Sequence, residues 1–186
     1  MSGRPIALFG GSFDPPHYGH VLAAAWARWH GGAEEVWVLP VARHPYGKPL
    51  SPWERRWTLC RLAFAGMPFV QLRDDERYSS GYTIDLVERL RRRHPGGRWL
   101  LVGGSDTIRD LPRWHRGAEL QQLIEVLPVP RAGFAVHPAA LPAISSREIR
   151  ARLRRGEDVR GLLPEPVRQA IGAQGWYGPD DVAAPP

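Results

Sequence analysis

The stretch Gly10-Gly11-Ser12-Phe13-Asp14-Pro15-Pro16-His17-Tyr18-Gly19-His20 constrains this chain more than any other. It follows an apolar run, Pro5-Ile6-Ala7-Leu8-Phe9, whose pattern predicts a buried first strand. It leads into Val21-Leu22-Ala23-Ala24-Ala25-Trp26-Ala27-Arg28, which predicts a helix. Two glycines let the backbone turn sharply and come close to a ligand. The N-terminus of the following helix offers unpaired N–H groups and the positive end of the helix dipole, which suits phosphate. His17 and His20 are three residues apart, so both imidazoles are expected on one face of the first turn, pointing into one phosphate site. A glycine pair after a strand is by itself an ordinary turn, and a single histidine is by itself an ordinary core residue. Strand, Gly-Gly, Asp-Pro, His-x-Gly-His and helix in succession are a much rarer combination.

Strand-like and helix-like segments then alternate along the chain. Strands are expected at Glu35–Pro40, Phe69–Leu72, Arg98–Gly103 and Leu123–Val129. Helices are expected at Trp53–Ala65, which follows Ser51-Pro52, and at Tyr82–Arg93, which His94-Pro95-Gly96-Gly97 stops. Such alternation predicts an α/β fold: a doubly wound parallel sheet of about five strands with helices on both faces. Ligands of such sheets bind beyond the carboxyl ends of the strands, where the strand order reverses. The first turn, Gly10 to His20, and the fourth, Gly103 to Asp106, are the two glycine-rich ones. Both face one crevice if strands one and four are neighbours. A single domain over residues 1–177, with a small helical part from about 145 to 177, and a frayed tail over 178–186 are expected.

Three further constellations carry chemistry. Gly104-Ser105-Asp106 is followed eight residues later by Trp114; alone, this reads equally as a capped helix start with a core tryptophan. Ser79-Ser80-Gly81-Tyr82-Thr83-Ile84-Asp85 also reads as a helix start. Ile144-Ser145-Ser146-Arg147-Glu148-Ile149-Arg150 places serine hydroxyls, free N–H groups and a guanidinium at one helix N-terminus, which makes a second anion site.

The first of the four motifs resembles the signature of the HxGH nucleotidylyltransferases, and the set resembles the bacterial nicotinate mononucleotide adenylyltransferases within that superfamily. The motifs occur in the family's order and span residues 5 to about 172. The resemblance implies a Rossmann-like fold and transfer of AMP from ATP to nicotinate mononucleotide, without a covalent intermediate. It implies that His17 and His20 contact and neutralise the ATP phosphates, with His20 at the transition-state charge. ATP is then expected on Gly10, Gly11, Ser12, Gly104, Asp106, Ser145, Ser146, Arg147 and Lys48. The mononucleotide is expected on Asp14, Tyr82, Thr83 and Trp114, with the indole stacked on the pyridine ring and the Tyr82-Thr83 turn holding the carboxylate. Serine stands at position 105 where the family has alanine, and its hydroxyl is expected to alter ribose contacts. The family's Pro-Pro-His-Lys run appears as His44-Pro45-Tyr46-Gly47-Lys48, and the segment between Gly133 and Ile144 is shorter than in most members. Mg2+ bound through the ATP phosphates is implied, and no transition metal is expected.

Composition narrows the alternatives. One cysteine, Cys60, excludes an intrachain disulfide, and its apolar helical setting predicts a buried structural thiol. No apolar run approaches the length of a membrane span, and no signal peptide is evident, so a cytoplasmic protein is expected. The net charge of +6 suits polyanionic ligands. The basic run from Arg89 to His94 falls on an amphipathic helix as a solvated face, and no interleaving of basic and aromatic residues argues for nucleic acid. Trp53 and Trp57 suit either a core or an interface, which leaves a homodimer open. Transfer to nicotinamide mononucleotide or phosphopantetheine is the alternative within the class. A non-catalytic nucleotide- or RNA-binding module is the alternative outside it.

Overall fold

A computed structural model describes residues 3–133, 137–181 and 183. Five strands, β1 (Pro5–Gly11), β2 (Glu35–Pro40), β3 (Val70–Leu72), β4 (Arg98–Gly104) and β5 (Glu125–Val129), form one sheet in the order β3-β2-β1-β4-β5. Every neighbouring pair is parallel. Among the described residues seven α-helices accompany them: α1 (Tyr18–Trp29), α2 (Trp53–Phe64), α3 (Thr83–Arg93), α4 (Ser105–Arg109), α5 (Gly117–Leu123), α6 (Ser146–Arg154) and α7 (Glu165–Gln174).

Side chains that alternate along a strand go to opposite faces of the sheet, and here both faces are apolar. Ala7, Phe9, Val36, Val38, Leu100 and Val102 join one core, against α1, α2, α6 and α7. Leu8, Trp37, Leu39, Trp99 and Leu101 join the other, against α3 and α5. Cys60 is fully buried in the first core, as expected, and burial pushes its thiol far up, so it stays protonated.

The structure departs from expectation in two places. Leu123 closes α5 and does not open the fifth strand. Leu120 of α5 is buried, and this tertiary burial stabilises a helix too short for periodicity to reveal. Within the segment where fraying was expected, Asp181 is anchored. Asp181 makes a two-pronged ion pair with Arg55 of α2 at 2.5 and 3.1 Å, and both side chains are largely buried. Residues 182 and 184–186 of that expected tail lie outside the described residues. Trp53 and Trp57 are half-buried on α2, their rings stacked 4.7 Å apart. No helix among the described residues is long and apolar enough to cross a membrane.

Candidate functional site

β1 sits between β2 and β4, and the connections leave its two sides in opposite directions. The strand order therefore reverses at the β1–β4 pair, the place where ligands of such sheets bind. A cleft of about 610 Å³ opens there. It is lined by the turn after β1, the loop after β2, the starts of α3 and α6, the turn after β4 and the segment after β5.

The turn after β1 is shaped by its small residues. A Cβ on Gly10 would meet nothing within 4 Å, so the backbone lies open to the cleft. A Cβ on Gly19 would press within 3.0 Å of the His17 imidazole, so glycine there lets the ring sit against the helix. Phe13 takes a left-handed φ of 48° and buries its ring, whose centroid lies 4.8 Å from that of His20. The imidazoles of His17 and His20 stack with centroids 3.8 Å apart, so the shared face expected from their spacing is realised. The His17 N–H donates to Nδ1 of His20 at 3.1 Å, which leaves the proton of neutral His20 on Nε2.

Burial, and then the Arg131 guanidinium, push the His17 imidazole down to about 3. Burial, then His17 and Arg131, hold His20 well below its ordinary value. Both rings are therefore neutral near pH 7 in the free protein, donors without charge. The helix N-terminus is also less open than its position implies, because the Tyr18 N–H donates to the Leu162 carbonyl at 3.0 Å. The positive charge of the cleft comes instead from Lys48, Arg131 and Arg147, all of which line it. Arg147 has no carboxylate partner among the described residues.

Of the residues singled out in the sequence, Gly10, Gly11, Ser12, His17, His20, Lys48, Tyr82, Thr83, Gly104, Trp114, Ser145, Ser146 and Arg147 line this one cleft. Asp14 and Asp106 do not. The Asp14 carboxylate is buried behind the turn and accepts from the Ser51 N–H at 3.1 Å and the Tyr177 hydroxyl at 2.7 Å. Asp106 pairs with Arg131 at 2.7 Å. A carboxylate turned toward phosphates would repel them, whereas one held behind a guanidinium orients it. Ser146 lines the cleft, but its hydroxyl donates to the Pro15 carbonyl at 2.9 Å, clamping α6 to the first turn. The Ser105 hydroxyl, expected to alter ribose contacts, is engaged within the protein. It donates to the Val129 carbonyl and accepts from the Arg131 N–H, each at 3.1 Å, and so ties β4 to the end of β5.

At the other end of the cleft the walls are aromatic. The rings of Tyr82 and His115 lie 4.3 Å apart, and Trp114 lines the same wall. Tyr46, on the loop after β2, accepts the His115 N–H on its hydroxyl at 3.2 Å and so spans the mouth. The Tyr82 N–H, expected to face a ligand carboxylate, donates to the Ser80 hydroxyl at 3.1 Å. Gly81 takes φ +83° beside the Arg43 carbonyl, where a Cβ would come within 2.7 Å.

Sequence reasoning missed Arg131 and Arg56. Arg131 follows β5 at the carboxyl edge of the sheet, and that position was the available signal. Arg56, on α2, is fully buried and donates to the carbonyls of Ser12, Val41 and Ser51, each at 2.8 Å. In sequence it is indistinguishable from the surface arginine beside an apolar stripe.

The cytidylyltransferase-like family model matches residues 8–152, which hold the first turn, the aromatic wall and the start of α6. A protein of Anaeromyxobacter sp. (strain K) carrying the name "Probable nicotinate-nucleotide adenylyltransferase" is 46% identical over 182 residues, 94% of this chain and 97% of its own. A Myxococcus xanthus protein of the same name is 36% identical over 179 residues, covering 93% and 94%. In fold, the chain resembles the Plasmodium falciparum nicotinic acid mononucleotide adenylyltransferase complexed with NaAD, with a TM-score of 0.83 at 22% identity over 94% of this chain and 97% of that one. With the cleft at the strand-order reversal and near-complete coverage of those relatives, the chain belongs to the cytidylyltransferase-like family and, within it, to the nicotinate-nucleotide adenylyltransferases.

Proposed function

We propose that the chain transfers the adenylyl group of ATP to the phosphate of nicotinate mononucleotide, releasing pyrophosphate and the deamido dinucleotide. The observation that carries this reading is the single cleft with a stacked histidine pair and three cationic side chains at one end and an aromatic wall at the other. An acceptor phosphate oxygen attacks the α-phosphorus, and the bond from that phosphorus to the β-phosphate oxygen breaks. The acceptor is already an anion, so no general base is required. The work is alignment and stabilisation of charge.

In this reading, Nε2–H of His20 donates to the oxygens of the α-phosphate, and His17 buttresses it by stacking. Lys48, Arg131 and Arg147 hold the β- and γ-phosphates, and Gly10 and Gly11 let the backbone approach. Trp114 and Tyr82 bracket the pyridine, and Thr83, at the start of α3, faces its carboxylate with the positive end of the helix dipole. The donor set at the phosphate end is nitrogen-rich and cationic, while Asp14 and Asp106 are engaged by protein partners. That set offers no oxygen ligands of its own, so a Mg2+ ion would be held by the triphosphate oxygens and would enter with ATP. When bound, the ion neutralises phosphate charge. Dependence on ATP is consistent with a cytoplasmic setting.

The test is pyrophosphate release on mixing the protein with ATP, Mg2+ and, in turn, nicotinate mononucleotide, nicotinamide mononucleotide and phosphopantetheine. Nicotinate mononucleotide should exceed the amide by at least about tenfold in kcat/KM, or about 1.4 kcal/mol. Equal rates would reassign the acceptor. ATP binding without release for any acceptor would make the protein a binding module.

A further inference from the structure

Asp14 stands where four distant parts of the chain meet. It belongs to the first turn, three residues before His17. The Ser51 N–H, from the loop that follows Lys48, donates to its carboxylate at 3.1 Å. Arg150, one helical turn after Arg147 on α6, donates to its carbonyl at 2.5 Å and lies 3.9 Å from the carboxylate. The fourth part is the C-terminal segment, whose Tyr177 hydroxyl donates to Asp14 Oδ1 at 2.7 Å. The first turn, the loop after Lys48, α6 and the C-terminal segment are thus tied together at one residue, Asp14, which is itself 1% exposed.

Tyr177 is held in place with some force. It is fully buried and has a φ of 61°, a left-handed conformation unfavourable for a bulky side chain. Its N–H donates to Asp181 at 2.6 Å, and Asp181 is pinned by its two-pronged pair with Arg55. The Arg55 guanidinium in turn lies 5.2 and 5.3 Å from the ring centroids of Trp176 and Tyr177. A phenyl ring would fill the same space. What the hydroxyl adds is one directed donor to a buried carboxylate oxygen, which would otherwise be left poorly satisfied.

We propose that Tyr177 is a positioning residue for adenylyl transfer: by fixing Asp14 it sets the turn that carries His17 and His20 against the N-terminus of α6. This rests on the reaction proposed above. In-line displacement tolerates little error, and a displacement of about 1 Å can cost 10²-fold in rate. Loss of the hydroxyl is therefore felt in kcat, while ATP, held by several cations, still binds.

Tyr177→Phe tests this. Pyrophosphate release should fall about tenfold or more in kcat, with KM for ATP within about threefold of the parent. The imidazole NMR signals of His17 and His20 should shift, although neither ring touches residue 177. Asp181→Asn, which loosens the clasp and keeps the hydroxyl, should move the same signals less and decides the matter if the phenylalanine variant folds poorly. Unchanged kcat with unchanged imidazole signals overturns the proposal. So does a fall in kcat matched by an equal loss of folded protein at the assay temperature. If the parent protein itself releases no pyrophosphate, the reaction assigned above fails, and the imidazole spectra alone judge the role of Tyr177.

Discussion

The two ends of the cleft are built in opposite ways. Around the histidine pair, Arg56 holds three carbonyls, Asp14 gathers the Ser51 N–H and the Tyr177 hydroxyl, and the Ser146 hydroxyl clamps α6 to Pro15. Nearly every one of these groups is buried. At the aromatic wall, Tyr46 is 59% exposed, and its hydrogen bond from the His115 N–H joins two exposed loops. The first end has its geometry before any ligand arrives. The second is aromatic surface on exposed loops, with few buried polar ties to fix it. Under the proposed reaction, the chemistry that depends on alignment would fall on the side with the buried ties.

The largest test of this contrast is Arg56→Met. Removing a buried guanidinium strands the carbonyls of Ser12, Val41 and Ser51, and the fold should lose about 3–5 kcal/mol in urea unfolding. A loss below about 1 kcal/mol would mean that the turn after β1 is not prebuilt. His20→Ala comes next. It deletes a donor aimed at developing charge, so kcat should fall about 10²–10³-fold, with a smaller change in ATP affinity. Near-normal turnover would remove His20 from the mechanism.

Acid should also tell the two ends apart. His17 titrates near 3 when folded and near its ordinary 6.5 when unfolded, so between those values the unfolded chain binds more protons. Stability therefore falls as pH drops through this window, by about 2 kcal/mol from this residue at pH 5. Bound ATP, a polyanion, should favour the protonated rings and flatten that loss. Urea titrations at pH 7 and 5, with and without ATP, read both effects. The smallest effect is expected at the aromatic wall. Trp114→Ala should weaken acceptor binding by about 1–3 kcal/mol and leave ATP binding nearly unchanged. Equal weakening of both ligands together with a lower melting temperature would make Trp114 a core residue.

Most of the architecture was legible because both faces of the sheet are apolar and each βα turn carries glycine or proline. That the two glycine-rich turns share a crevice hung on β1 and β4 being neighbours, and they are. What escaped were features whose cause lies far away in sequence. α5 forms because Leu120 has a core to enter, and Arg56 is buried because three carbonyls from two other loops converge on it. Residue type told which groups suit phosphate, and His17, His20, Lys48 and Arg147, singled out on that ground, all line the one cleft. It could not tell a carboxylate facing the ligand from one facing a tyrosine, so Asp14 was assigned to the mononucleotide. Nor could it show that burial lowers the pKa of both histidines and leaves the positive charge of the cleft to the cations around them.

The central place of β1 has a consequence for how the chain is made. One edge of β1 pairs with β2, which leaves the ribosome soon after it, but the other waits for β4, whose partners lie some ninety residues downstream. Throughout that interval the strand that bears the first turn has an open row of N–H and C=O groups flanked by apolar side chains, the kind of edge that recruits other strands. Pairing that late in sequence also slows the final search for the native sheet. A nascent chain halted before Arg98 is thus an aggregation hazard, and completing β4 is the step that ends it.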